Sequence, residues 1–267
     1  MQIFTTEKEL KLFLDSLRNN NIALVPTMGG LHEGHLSLVD KAKSLAQIVV
    51  VSIFVNPTQF ARGEDFDDYP NTYDSDKLLL ESKKVDALFL PSKDEIYPHG
   101  TESDYKVGDI GQILCGAFRP THFNGVAQVV RRFFEIVNPN YAVFGEKDFQ
   151  QLLIIKSLVK NLNFKIKIES IPTQREEDGL AMSTRNQYLS DLDREKAPHF
   201  YSVLSDTRDA LLDGKSIYDA REDALNTLSK SFEVEYLEVL DANNLTQIET
   251  KTTEIIIISA IRFGGTR

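Results

Sequence analysis

The sequence predicts an α/β protein: a Rossmann-like, mainly parallel sheet with helices on both faces, completed by a small C-terminal α+β domain. Two observations carry the main domain. Residues 22–25, 48–55, 87–90 and 141–144 are continuous apolar runs, the pattern of strands buried on both faces. Segments with helical apolar spacing fill the gaps at 35–46, 72–84, 126–137 and 148–161, and such alternation implies right-handed crossovers and a parallel sheet. A third observation sets the second domain apart. Beyond residue 171 the alternation stops, and a polar stretch at 173–190 leads into elements of different character.

In chain order, residues 7–20 open with a capping-box pattern, Thr6 with Glu9, and place Leu10, Phe13, Leu14 and Leu17 at helical spacing. The run at 22–25 is the first strand, and the helix at 35–46 follows its turn. Strands at 48–55, 87–90 and 141–144 alternate with the helices named above, and 164–171 is a further strand. Residues 191–212 and 216–231 read as helices. Residues 232–240 alternate in polarity and 254–261 are strongly β-branched, so the tail closes with two strands. The expected domains are 1–187 and 188–267. No internal repeat, heptad series or low-complexity segment is present.

At 267 residues the chain has room for a main domain with an ample core plus a small one. No apolar run approaches the roughly 20 residues of a membrane span. The first ten residues are polar and charged, unlike a signal peptide. A soluble, cytoplasmic protein with no membrane partner is expected. The single cysteine, Cys115, allows no intramolecular disulfide, which fits a reducing compartment. A formal net charge of −10 opposes the phosphate neutralisation on which nucleic-acid affinity rests, so no nucleic-acid partner is expected. A local cluster of donors can still hold a small phosphate ligand on an acidic surface.

The run Pro26-Thr27-Met28-Gly29-Gly30-Leu31-His32-Glu33-Gly34-His35 lies where a strand ends and a helix begins. First-turn amides and the helix dipole favour an anion there, the glycines let the backbone approach it, and two imidazoles three residues apart can donate to phosphate oxygens. A zinc-protease helix needs His-Glu-x-x-His, and here the second histidine comes one residue early; the lysine-bearing P-loop pattern is missing. A glycine-rich turn whose histidines only cap the helix is the plainer alternative.

Three further segments lie at or after strand ends. Asn56-Pro57-Thr58-Gln59 follows the second apolar strand, where Gln59 can present an amide to a ligand beside the histidine turn, or where Asn-Pro simply makes a turn. In Gly145-Glu146-Lys147-Asp148-Phe149-Gln150-Gln151, Gly145 permits a sharp turn, Lys147 supplies a point charge, Asp148 suits a helix cap and Gln151 lies one turn beyond Lys147. A capped helix with solvated charges explains that segment equally well by itself. Met182-Ser183-Thr184-Arg185 sits in the polar stretch, either as a loop whose hydroxyl and forked cation close over a triphosphate or as a solvated linker.

Together these segments resemble the pantothenate synthetase (pantoate-β-alanine ligase) family of the HIGH-type nucleotidyltransferases, over most of the chain and in the same order. Tyr69-Pro70, the run from Phe118 to Val126 and Asp178-Gly179-Leu180 match as well. The resemblance implies that ATP is bound by Met28, Gly29, Gly30, Leu31, His32, Glu33, Gly34 and His35, by Gly145, Glu146, Lys147 and Asp148, by the main chain of Gln174, and by Met182, Ser183, Thr184 and Arg185. It implies that Gln59 and Gln151 bind pantoate and that Gln59 also meets β-alanine. His32, His35, Lys147, Ser183 and Arg185 would be catalytic, and the C-terminal domain would cover the active site. Asp76 falls near the family's metal region, with Mg2+ accompanying ATP, and a homodimer is implied.

The implied reaction has two steps. Pantoate attacks the α-phosphorus of ATP and releases pyrophosphate; β-alanine then attacks the acyl adenylate and releases AMP. It needs positioning and charge stabilisation but no protein nucleophile. An unperturbed imidazole near pKa ~6.5 can either transfer a proton or hydrogen-bond phosphate, so both roles stay open for His35. Another nucleotidyltransferase that keeps the nucleotide in its product, or a nucleotide-binding regulator without chemistry, is the competing expectation.

Overall fold

The computed structural model describes every residue except Arg62 and Ser103. Among the described residues, β1 (Gln2–Phe4), β2 (Ile22–Thr27), β3 (Ile48–Ile53), β4 (Ala87–Phe89), β5 (Tyr141–Gly145) and β6 (Lys167–Ile171) form one sheet in the order β1-β4-β3-β2-β5-β6. Every pairing in it is parallel. Its helices are α1 (Glu7–Asp15), α2 (Glu33–Leu45), α3 (Tyr73–Ser82), the single turns α4 (Lys93–Ile96) and α5 (Cys115–Phe118), α6 (His122–Val137) and α7 (Phe149–Asn161).

The continuous apolar runs are explained by helices on both faces. Ile22, Leu24, Val50, Phe89 and Phe144 pack with Leu10 and Leu14 of α1, Phe133 and Phe134 of α6 and Leu152 of α7. Ala23, Val25, Val49, Val51 and Val143 pack instead with Leu38 and Val39 of α2 and Leu80 of α3. Burying a side chain the size of Phe89 or Phe134 contributes roughly 1.5–3 kcal/mol.

β2 pairs with β3 from Ile22↔Ile48 to Thr27↔Ile53 and with β5 at Ala23↔Tyr141 and Leu24↔Ala142. Strand order therefore reverses between β2 and β5, the topological switch point beside which doubly wound sheets bind ligands. The segments leaving β3, β2 and β5 emerge side by side on this carboxyl edge.

Boundaries shift for local reasons. The first helix ends at Asp15 rather than residue 20, because Leu17 N–H turns to Leu14 O and Asn20 N–H to Leu17 O, bonds spanning only three residues. The strand β1 was not foreseen; three residues at a sheet edge carry too little pattern. The helix expected at 191–212 is two helices, α8 (Asp191–Lys196) and α9 (Pro198–Leu212), since Pro198 has no N–H to continue the first and suits the start of the second.

The chain divides into compact units Met1–Thr173 and Gln174–Arg267, ahead of the 187/188 boundary read from the sequence. The reason is that 174–182 closes on itself: Met182 N–H bonds Gln174 O, Glu176 N–H bonds Leu180 O, and Arg175 bridges to Ala181. Arg175 also lies 3.4 Å over the Tyr201 ring, and Arg194 pairs with Asp178 at 2.6 Å. In this unit α9 and α10 (Ile217–Leu228) cover an antiparallel pair, β7 (Glu233–Asp241) and β8 (Ile255–Arg262), around Val203, Leu228, Phe232 and Leu237. It is the small α+β domain expected.

Candidate active site

Two consecutive left-handed residues, Gly29 (φ 86°) and Gly30 (φ 63°), turn the chain out of β2, a conformation that costs other residues dearly. His32 then caps α2. Its Nδ1 accepts from Gly34 N–H at 3.1 Å, and His35 Nδ1 accepts from His32 N–H at 3.4 Å. An imidazole nitrogen that accepts a hydrogen bond carries no proton, so both neutral rings hold theirs on Nε2. The rings lie 4.1 Å apart between centroids and present two N–H donors.

This geometry corrects the expected cradle of open amides. The Gly34, His35 and Leu36 amides are occupied by His32, through its side chain or its carbonyl. The imidazoles therefore supply the remaining donors. Burial, reinforced by the Lys147 charge, lowers the His32 pKa to about 4. Burial, then His32 and Lys147, lowers that of His35 to about 3.

Asp76, on α3, is 1% exposed, and its carboxylate is engaged by backbone and hydroxyl donors. Oδ1 accepts from Leu31 N–H at 2.8 Å, and Oδ2 from Gly30 N–H at 3.0 Å and Thr72 Oγ1 at 3.1 Å. These contacts tie α3 to the Gly30–Leu31 turn. Among the described residues, no three His, Cys, Asp or Glu side chains gather as a metal site.

Gln59 sits in a short 3-10 turn after β3 and is fixed from behind. Asn56, 1% exposed, donates from Nδ2 to Gln59 Oε1 (3.1 Å) and Gly125 O (3.1 Å), while its Oδ1 accepts from Tyr97 OH at 2.7 Å. Because Gln59 Oε1 is engaged, its Nε2, 2.9 Å from Met28 Sδ, is the amide's remaining donor. Gly125 permits this packing: a Cβ there would meet Thr58 O at 2.3 Å. Arg119 forks onto both oxygens of Glu64 at 2.6 Å and also donates to Gln59 O, which His122 Nδ1–H reaches at 2.8 Å. The sequence reading assigned no role to Asn56, Glu64, Tyr97, Arg119 or His122; the one signal was the unexplained matching run from Phe118 to Val126.

At the end of β5, Gly145 leads into a 3-10 turn of Glu146–Asp148 and then α7. Glu146 accepts from Ser170 Oγ at 2.8 Å. Lys147 is exposed and forms no ion pair among the described residues, while its charge reaches both His32 and His35. The adjacent glutamines divide their labour: Gln150 is 3% exposed and holds Cys115 N–H and the carbonyls of Ile110 and Ile113, whereas Gln151 is half-buried with no such bonds.

Gln174, Met182, Ser183, Thr184 and Arg185 belong to the second unit. There Gln174 O is taken by Met182 N–H, and Ser183 Oγ caps the turn Thr184–Tyr188 by accepting from Arg185 N–H at 3.3 Å.

The imidazoles predict how stability depends on pH. Burial also lowers His122, to about 4. Below about pH 6.5 the unfolded chain protonates all three rings, while the folded chain keeps them neutral down to about pH 4 or 3. The unfolded state binds more protons across that window, so stability falls as the pH falls from 7 to 5, by about 1 kcal/mol or more for each of the well-buried His35 and His122 and by less for the partly exposed His32. Urea midpoints measured over this range test it: the midpoint falls, and falls less steeply in His122→Gln. A flat profile would contradict burial of the neutral rings.

A doubly wound parallel sheet, with paired imidazole donors, a lysine and an oriented amide at adjoining strand ends beside its switch point, defines an α/β protein built to bind an anionic small molecule. The chain belongs to the pantoate-β-alanine ligase family, whose profile matches residues 2–267. It is 52% identical over 250 residues to a pantothenate synthetase of Ruthia magnifica, covering 94% of this chain and 90% of that one. The structure of a Thermus thermophilus pantothenate synthetase superposes with a TM-score of 0.92 at 41% identity, over 98% of this chain and 95% of that one. The pantoate-β-alanine ligase of Francisella tularensis, in a complex with β-γ ATP and β-alanine, gives 0.84 at 37% identity, covering 100% and 95%.

Proposed function

We propose that this chain condenses pantoate with β-alanine at the expense of ATP, through a pantoyl adenylate. A pantoate carboxylate oxygen attacks the α-phosphorus and the bond to pyrophosphate breaks. The β-alanine amine then attacks the acyl carbon, the carbon–oxygen bond to AMP breaks, and the amine proton leaves to solvent. The observation that carries this reading is the pair of neutral Nε2–H donors on His32 and His35 at the switch point, with the Lys147 charge in range of both.

In this reading Met28–His35 and Gly145–Asp148 bind ATP, and His32 and His35 hold the α-phosphate as negative charge accumulates. Lowered pKa values keep both imidazoles predominantly neutral near pH 7, which favours hydrogen bonding over proton donation by His35. Lys147 neutralises phosphate charge. The Gln59 amide, its donor face set by Asn56, and the Gln151 amide hold pantoate, and Gln59 also meets β-alanine. Ser183 and Arg185 are assigned to the β- and γ-phosphates, and Gln174, Met182 and Thr184 to the nucleotide, on the resemblance of their motifs.

Magnesium, carried by ATP, would be held mainly by phosphate oxygens, and when bound would screen the phosphate charge. Among the described residues no cluster of three metal-binding side chains gathers, a donor set that suits an ion bound in that way. A cytoplasmic homodimer without nucleic-acid or membrane partners completes the proposal.

The test is release of AMP and pyrophosphate from ATP and magnesium, with pantoate and β-alanine added separately and together. One pantothenate per AMP, formed only with both substrates, is expected. Nucleotide retained in the product, or ATP binding without turnover, would overturn the reading.

A further inference from the structure

The Asp76 carboxylate is the most heavily engaged buried acid in the first unit, and every donor to it comes from the Gly30–Leu31 turn or from the residue that begins its own helix. Thr72 stands at the N-cap of α3 but makes no capping bond there. Its hydroxyl turns away, donating to Asp76 Oδ2 at 3.1 Å and accepting from Gly30 N–H at 3.1 Å. A threonine at this position ordinarily stabilises its helix by bonding a first-turn amide. Here that bond is given up for the glycine turn of a different element, forty-odd residues earlier in the chain.

The arrangement has a direct route to the imidazoles. Leu31 N–H is fixed by Asp76 Oδ1 at 2.8 Å, and the next amide, His32 N–H, donates to His35 Nδ1. Fixing the Gly30 and Leu31 amides therefore sets the backbone that places the His32 N–H, and that N–H leaves the His35 proton on Nε2. The same bonds take two amides of a glycine turn out of competition for a ligand. A Cβ on Gly29 would meet Asp76 Oδ2 and Ile53 Cγ2, each at 3.1 Å, so the turn is packed against this lock as well as bonded to it.

We propose that Asp76 and Thr72 form a positioning lock that presets the histidine turn, fixing the tautomer and direction of the His35 ring before nucleotide arrives. Neither residue touches substrate. This inference builds on the proposed ATP site, but the lock is readable without turnover.

Asp76→Asn keeps the size of the side chain but replaces one acceptor with a donor that opposes an amide N–H. Thr72→Val removes the hydroxyl at constant shape, and Thr72→Ser restores it. The first readout is 15N NMR of the imidazoles in the ligand-free protein: wild type shows His35 Nδ1 unprotonated, and Asp76→Asn shows mixed tautomers. The second is calorimetric titration with ATP and magnesium, where Asp76→Asn weakens binding by about tenfold or more, Thr72→Val by less, and Thr72→Ser matches wild type. Where turnover is present, kcat/KM for ATP follows the same order while KM for β-alanine is unchanged.

A lower Tm with unaltered His35 tautomer and ATP affinity would reduce Asp76 to a fold-stabilising acid and overturn the lock. A change confined to the half-saturating magnesium concentration would return the carboxylate to the metal and also overturn it. Should Asp76→Asn fail to fold, the Thr72 pair decides by the same readings. If wild type binds ATP but makes no pantothenate, the proposed reaction fails while the tautomer and affinity measurements still judge the lock.

Discussion

Replacing His35 with alanine lowers turnover by about a hundredfold or more, in the range expected when one preorganised donor to developing charge is removed. The ring is held for that task. Its Nδ1 takes the His32 amide, leaving the Nε2 proton to point elsewhere, and burial keeps it neutral with a pKa lowered to about 3. Alanine also strands the His32 N–H, so some stability is lost, on the order of 1 kcal/mol. Comparing variants at a temperature well below their Tm separates the two effects. His35→Gln retains a side-chain N–H donor and recovers part of the rate, whereas a charged acid at this position would not. Steady-state AMP release checks this, and near-normal turnover in His35→Ala would remove the residue from the mechanism.

Lys147→Ala produces the second large loss, more than about tenfold in turnover. Two unit charges about 4 Å apart at an effective dielectric near 20 attract by about 4 kcal/mol, and retaining half of that after desolvation corresponds to about thirtyfold. Lys147 forms no ion pair among the described residues, so its charge is available to phosphate. Because that charge helps depress both His32 and His35, removing it also moves their pKa values upward, part of the way toward the ordinary imidazole value. A single variant thus has two independent readings, pantothenate formation and imidazole titration by NMR. Lys147→Arg, which keeps the charge but spreads it over a planar fork, falls between wild type and alanine. Cys115→Ser is the matched control: Cys115 is buried, its main chain is held by Gln150, and turnover stays unchanged. Loss of salt-dependent ATP binding without loss of rate in Lys147→Ala would confine the lysine to binding.

The carboxyl-edge site was legible in sequence because its parts are local. Each of the segments bearing His32 and His35, Gln59, and Lys147 follows an apolar strand within a few residues, and a parallel sheet carries all such ends to one edge. What surrounds them was not legible. Asn56 orients Gln59 by bonds that reach Gly125 and Tyr97, Arg119 reaches back to Glu64, and Asp76 reaches back to Gly30 and Leu31. Neither partner in such a pair marks the other along the chain. Asp76 shows the consequence most clearly: the family resemblance placed it near the metal region, and only the folded chain shows the donors its carboxylate accepts from.

By itself the sequence determined the alternation of strands and helices, the turn in which two glycines precede two histidines, and the residue types available for chemistry. These depend on periodicity, backbone freedom and short-range spacing, which the order of residues contains directly. Only the tertiary structure decided which amides remained open, which imidazole nitrogen carried the proton and which carboxylate served the backbone. It also decided that the chain divides at Gln174, through the closure of 174–182 on itself and its contacts with Tyr201 and Arg194. The physical reason is common to all four: hydrogen-bond partnership and burial are set by groups brought together in space, and a local pattern names the donors and acceptors without naming their partners.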